Sequence, residues 1–241
     1  MMQLTGQTAV IVGGGSGVGA ACAAALAELG AAVVLVGRRA ERLKEVSASI
    51  GSLARWFAAD GHSEEQMRAV FEQVGVFDHL LIPAAKTDRV GNFVEALTQD
   101  KFRETFEGKF WTQVNTAHAG APFVRKGGSI TFFSGAASRK AMRGMINIAA
   151  VNGALEALVP GLALELAPTR VNIIIPGTLD TPYYEGLDEA AKQAVFERTA
   201  GLLPVGRVGT AADIANAAVF LVTTGYVTGI ALEVDGGLRL T

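Results

Sequence analysis

The chain has little of what would mark it for export, cross-linking or polyanion binding. One cysteine, Cys22, stands among 241 residues; it excludes an internal disulfide framework and suits a reducing cytoplasm, the expected location. Charged residues make up only 18% and the formal net charge is -2. No long-range field then draws the chain to nucleic acid or acidic membranes, and neither is expected as a partner. The opening stretch MMQLTGQTAVIVGGG has no basic region followed by a long apolar run, so neither a signal peptide nor a membrane anchor is expected. His62 and His79 have no ligand-like neighbours at metal spacing, and no metal is expected. No linker, low-complexity tract or charge block interrupts the sequence, and no repeat is visible beyond the alternation described next.

Apolar material is plentiful. Half of the residues are hydrophobic, enough for the core of one large α/β domain spanning 1–241. Short β-branched runs recur at Thr8–Val12, Ala32–Val36, Leu53–Ala58, His79–Pro83, Ser129–Ser134, Val171–Ile175 and Ile230–Val234. Most are apolar throughout, as strands buried on both faces are. Between them lie segments of helical spacing: Ala20–Leu29, Ala40–Ile50, Glu64–Val74, Lys101–Phe110 and Ala211–Val222. Strand, helix, strand in succession predicts parallel pairing with right-handed crossovers. The stretch of about 180–207 is the exception. Pro182, Gly186, Gly201, Pro204 and Gly206 surround a polar helix-like piece, and a long excursion of this kind is expected to be a substrate lid.

The glycine loop after the first strand carries the most chemistry. Gly13-Gly14-Gly15-Ser16-Gly17-Val18-Gly19 precedes an Ala-rich helix. Glycines let the backbone approach a pyrophosphate, and the helix N-terminus adds free N–H groups and a positive dipole end. The second strand ends Val36-Gly37-Arg38-Arg39. A carboxylate there would hold the ribose 2′-OH of NAD, and none is present. Arg38 and Arg39 are suited instead to the extra phosphate of NADP(H).

These features resemble the short-chain dehydrogenase/reductase family. The glycine spacing Gly13-x-x-x-Gly17-x-Gly19 is similar to its cofactor motif. So are Asp60 after the third strand, Pro176-Gly177-Thr178-Leu179-Asp180-Thr181-Pro182 after the sixth, Arg207-Val208-Gly209 before a helix, and Val234-Asp235-Gly236-Gly237 near the end. The resemblance covers nearly the full length. It implies a Rossmann-type, doubly wound, seven-stranded and mostly parallel sheet with helices on both faces, assembled as a homodimer or homotetramer. It also implies a cofactor site that includes Gly13, Gly15, Ser16, Gly17, Val18, Gly19, Arg38, Arg39, Ala84, Ala85, Asn152, Pro176, Gly177 and Thr178. Asp60 would then sit near the adenine and Thr181 near the nicotinamide amide. Asp60 also has the local context of a helix N-cap.

The departures from the family pattern are informative. Ile82-Pro83-Ala84-Ala85 replaces the usual Asn-Asn-Ala-Gly, and Pro83, lacking an N–H, is expected to end the fourth strand. On the helix that leads into Ala154-Leu155-Glu156-Ala157-Leu158, Ile148 falls on the position of the family's catalytic Tyr and Asn152 on that of its Lys. No Tyr-x-x-x-Lys occurs anywhere in the chain. The catalytic Ser position is Gly135, with Ser134 and Ser138 close enough to substitute. The catalytic Asn position is Lys109.

Isoleucine can neither donate nor accept a proton, and losing a positioned acid/base costs about 10²–10⁴ in rate. An ordinary ketone reductase mechanism is therefore not expected. Relative to the family pattern, Lys and Asn have traded places, and the expectation is that Lys109 faces Asn152 from the neighbouring helix, returns a positive charge to the site and serves as proton donor, while Asn152 holds the ribose hydroxyls. The alternative is a surface lysine beside Glu104 or Glu107. Phe133, Met142, Met145, Ile148 and Tyr183 are expected to line an apolar substrate pocket. Tyr184, His118, Arg139 and Lys140 are weighed as further site groups and read as packing or surface residues. Pro160-Gly161 should kink its helix or interrupt its hydrogen bonding. Two functions remain open: an NADP(H)-dependent oxidoreductase with a rearranged acid/base set acting on a small apolar carbonyl, enone or quinone-like substrate, or a non-catalytic NADP(H)-binding sensor or partner subunit.

Overall fold

The computed structural model describes residues 3–89, 91–181, 186 and 188–241. Its strands are β1 (Thr8–Val12), β2 (Ala32–Gly37), β3 (Ala54–Ala58), β4 (Phe77–Ile82), β5 (Val124–Phe133), β6 (Arg170–Pro176), the two-residue β7 (Leu179–Asp180) and β8 (Gly209–Thr210), and β9 (Ala231–Val234). The helices are α1 (Gly17–Glu28), α2 (Ala40–Ile50), α3 (Glu64–Val74), α4 (Gln99–Thr105), α5 (Thr112–Gly120), α6 (Ile146–Glu165), α7 (Glu189–Ala200) and α8 (Ala211–Thr223). Seven strands form one parallel sheet in the order β3-β2-β1-β4-β5-β6-β9, and β7 pairs with β8 beside it. The chain is thus a single doubly wound α/β domain. The order reverses at β1, which pairs with both β2 and β4. In such sheets the ligand crevice lies beyond the strand C-termini at that reversal.

The pleat sends alternate strand residues into two cores. Val10, Val12, Val34, Val36, Ile130 and Phe132 join the cluster that contains Phe71 and Leu155. Ala9, Ile11, Val33, Leu35 and Phe133 join the other, with Leu26, Ile214 and Leu221. Burial on both faces is why these strands read as unbroken apolar runs. β4 stops at Ile82, immediately before Pro83. α2 and α3 stop at Gly51 (φ 87°) and Gly75 (φ 76°), where a side chain would be strained.

Two elements differ from the sequence reading. The helix expected over Lys101–Phe110 starts at Gln99 and runs on to Gly120, with a wide π-helical turn at Phe106–Trp111 in its middle. Two peptide carbonyls of that turn have other donors: Gly108 O accepts from Lys86 N at 2.8 Å, and Glu107 O from Thr112 Oγ1 at 3.1 Å. β5 begins five residues early, through the exposed Arg125-Lys126-Gly127. α6 stays helical across Pro160, which has no N–H for Glu156 O, so the expected interruption falls on its hydrogen bonding alone.

Candidate functional site

Two adjoining hollows open along the C-terminal edge of the sheet. The larger is a groove of about 540 Å³. It is walled by the segments that leave β1 (Gly13, Gly15, Ser16, Gly17, Val18, Gly19), β2 (Gly37, Arg38, Arg39), β3 (Asp60, Gly61, His62) and β4 (Pro83, Ala84, Ala85, Lys86). The smaller is a cavity of about 200 Å³, walled by the segments after β5 (Ser134, Gly135, Ala136, Ala137) and β6 (Pro176, Gly177, Thr178), with Lys109, Met142, Met145, Ile148 and Asn152. Leu179 and Thr181 line both.

Close backbone approach shapes the groove. Gly13 has φ 100°, and a Cβ on it would lie 2.7 Å from Ala84 N. A Cβ on Gly19 would lie 2.0 Å from Gly13 O, so only glycine lets α1 start against the loop. Ser16 stands at the N-cap of α1 but makes no capping bond with its side chain; its Oγ accepts from the Arg39 guanidinium at 3.3 Å. The first N–H groups of α1 are left without that cap, beside Arg38, Arg39 and Arg42. Asp60 does not cap α3. Ser63 does, and Asp60 Oδ1 instead accepts from His62 N at 3.0 Å. His62 Nε2 and Glu107 face each other 3.3 Å apart on the groove wall.

In the cavity, helices on one side hold three consecutive carbonyls at the end of β5. Gln113 Nε2 donates to Phe133 O at 2.8 Å, Lys109 Nζ to Ser134 O at 2.8 Å, and Asn152 Nδ2 to Gly135 O at 2.9 Å. Lys109 is therefore buried in the site and does not reach for the surface beside Glu104 or Glu107. Burial pushes its ammonium down to about 8, with the nearby Glu156 carboxylate opposing part of that shift. Gly135 leaves room for Asn152, because a Cβ there would lie 3.1 Å from Asn152 Nδ2. Ser134 Oγ and Asn152 Oδ1 are buried with no hydrogen-bond partner. Such atoms are costly unless something else satisfies them.

Several expected site residues lie elsewhere. Ser138 does not line the cavity: its hydroxyl donates to Gly135 O at 3.0 Å and to Glu156 Oε1. Phe133 is not a pocket residue either, because the pleat turns it into the core beside Leu81 and Ile174. Tyr183 and Tyr184, like Pro182, lie outside the described residues. Arg139 pairs with Glu156 at 2.9 Å, Lys140 bonds Thr241, and His118 is an exposed partner of Glu64 at 3.2 Å. Conversely, the sequence reading missed Arg42 and Lys86 in the groove, Thr87 and Arg89 in the cavity, and Gln113 behind it. Arg42 had a local signal, since it follows Arg38 and Arg39 by one helical turn. Arg89, inside an irregular loop, had none.

Comparisons with known proteins agree with this architecture. Residues 12–239 match the family model described as enoyl-(acyl carrier protein) reductase. A 3-oxoacyl-[acyl-carrier-protein] reductase of Rattus norvegicus is 30% identical over 96% of this chain and 97% of its own. A peroxisomal 2,4-dienoyl-CoA reductase of Arabidopsis thaliana is 32% identical over 98% of this chain and 85% of its own. Among solved structures, a small-chain dehydrogenase in complex with NADPH is 35% identical, with a TM-score of 0.81 over 98% of this chain and 99% of that one. A short-chain dehydrogenase/reductase from Serratia marcescens is 27% identical, with a TM-score of 0.87 over the same shares. The chain belongs to the short-chain dehydrogenase/reductase family of NAD(P)-dependent oxidoreductases.

Proposed function

We propose that the chain is an NADP(H)-dependent oxidoreductase that reduces a small apolar carbonyl, enone or quinone-like substrate, with Lys109 as proton donor in place of the family's tyrosine. The observation that carries the reading is the buried Lys109 ammonium, which lines the cavity that adjoins the glycine-loop groove. The preference for NADP(H) is supported by Arg38, Arg39 and Arg42 on the groove wall, where a ribose-binding carboxylate after β2 is lacking. The solved relative with NADPH is consistent with it.

The residues present fit such a cofactor. The uncapped start of α1 and the three guanidiniums suit phosphates. The orphaned Asn152 Oδ1 is an acceptor for a ribose hydroxyl. When bound, the nicotinamide supplies or takes the hydride. The chain's own part is the proton and the oxygen. Lys109 Nζ has three donors and spends one on Ser134 O, so others are free for a substrate oxygen. Ser134 Oγ is a second donor beside it. Ile148 gives that corner an apolar wall, which keeps water away and strengthens the ammonium's field. Delocalised charge, as in an enone or quinone, would need the least from a protein acid. The segment of about 180–207 serves in this reading as the substrate lid, and the chain assembles with copies of itself.

The test is NADPH consumption across ketones, enones and quinones, paired with NADPH binding. We expect turnover with at least one class, and a loss of about 10²–10⁴ in Lys109→Met with cofactor affinity kept. Tight NADPH binding without turnover anywhere would instead establish a cofactor-sensing or partner subunit.

A further inference from the structure

We propose that the cavity takes a substrate bearing an anionic group, a carboxylate or a phosphate, which Arg89 receives at the rim while Lys109 faces the reacting oxygen. This rests on reading the cavity as the substrate site. The argument is one of uncompensated charge. Lys109 and Arg89 both line the cavity, and no carboxylate does among the described residues. Glu156, whose field reaches Lys109, is engaged by Arg139 at 2.9 Å and by the Ser138 hydroxyl. Glu233 is engaged by Arg239 at 2.6 Å, and lies 3.9 Å from Arg139. These two carboxylates and two guanidiniums balance one another. Arg89 has no ion pair among the described residues, and Lys109 has only the Ser134 carbonyl.

Two cations lining one cavity with no carboxylate beside them make it positive, and a ligand whose negative charge is met at Arg89 complements that field. The geometry supplies the rest of the ligand. Its inner end should carry an oxygen, because Ser134 Oγ is buried there without a partner and Lys109 Nζ has donors to spare beyond Ser134 O. Its body should be apolar, matching Met142, Met145 and Ile148. Its outer end should be the anion, because Arg89 is exposed and sits with Thr87 on the loop after β4. Oxo acids and unsaturated acids or their phosphate analogues have this shape.

The experiment titrates the protein, saturated with NADPH so that the groove's own phosphate-binding arginines are occupied, with benzoate, phenyl phosphate and the neutral benzamide. Calorimetry reads affinity. We expect one of the anions to bind about tenfold more tightly than benzamide, an advantage that shrinks with added salt and disappears in Arg89→Gln. NADPH affinity measured in the same variant shows that it is folded. Whichever anion binds better names the group. Equal affinity for benzoate, phenyl phosphate and benzamide, failure of all three to bind, or an anion preference untouched by Arg89→Gln would overturn the proposal. Reduction of neutral substrates alone would leave the oxidoreductase reading standing without it. Anion binding without turnover of any substrate would do the reverse.

Discussion

A lysine with an ordinary ammonium is a poor acid at neutral pH, and Lys109 is not ordinary. Its burial brings it to about 8 from 10.5. The protonated form is the one that serves reduction, so kcat/KM should be level below about pH 8 and fall above it. Lys109→Met should lose that limb along with most of the rate. The same shift has a sign in stability. Between about pH 8 and 10.5 the unfolded chain holds a proton that the folded chain has released, so the folded state gains as pH rises through that window. Below it, the burial cost is constant at about 3 kcal/mol. Urea unfolding at pH 7 and pH 10 should therefore show a gain in the wild type, relative to Lys109→Met, at the higher pH. At pH 7 the Met variant sheds the burial cost and loses a bond to Ser134 O worth about 1.5–3 kcal/mol. The two act in opposite directions, and urea denaturation of the Met variant at pH 7 separates a lost rate from a lost fold.

Among the elements, those bounded by local signals were the most legible. α2 and α3 have the expected limits, Ala40–Ile50 and Glu64–Val74, because each ends at a positive-φ glycine. The helix of Lys109 was legible only in part. Helical spacing assumes 3.6 residues per turn, and the π turn at Phe106–Trp111 adds a residue to it, rotating the face that follows. Gly108 was the sole local hint: a Cβ there would sit 2.2 Å from Lys86 O. α6 shows the limit of a different rule. Pro160 marks a kink or a lost hydrogen bond by sequence, and the helix continues across it because packing of Leu155 and Val159 into the core holds it. The proline still denies Glu156 O its helical donor. Pro160 is exposed, so Pro160→Ala should restore the bond without repacking. It should raise unfolding stability by about 1–3 kcal/mol, read by urea denaturation.

For the whole molecule, the groove was more fully readable than the cavity, where Lys109, Met142, Met145, Ile148 and Asn152 were expected and Thr87 and Arg89 were not, for a reason of topology. The groove is built from short loops that each directly follow a strand, so glycines and arginines announce it in order along the chain. The cavity gathers a loop near Arg89, the π turn, the end of β5, the start of α6 and the segment after β6. Its chemistry lies in which of these meet, and in which hydroxyl, Ser134 rather than Ser138, is left unspoken for. The outer surface raises a separate expectation. Ile146 and Leu164 on α6 and Trp111 on the neighbouring helix are 48%, 83% and 43% exposed. Large apolar groups of this kind mark a face for burial against another subunit. Light scattering should find a dimer or tetramer, and Leu164→Asp should shift it toward smaller species.

The three carbonyls clasped at the end of β5 limit how much charge that corner can carry. N152K in the present chain would crowd a second ammonium into a place that already costs free energy for one. K109N would leave two neutral amides, each able to grip a carbonyl. The clasp therefore has room for one ammonium or for none: its charge can be removed without giving up its grip on the strand, and it cannot be doubled.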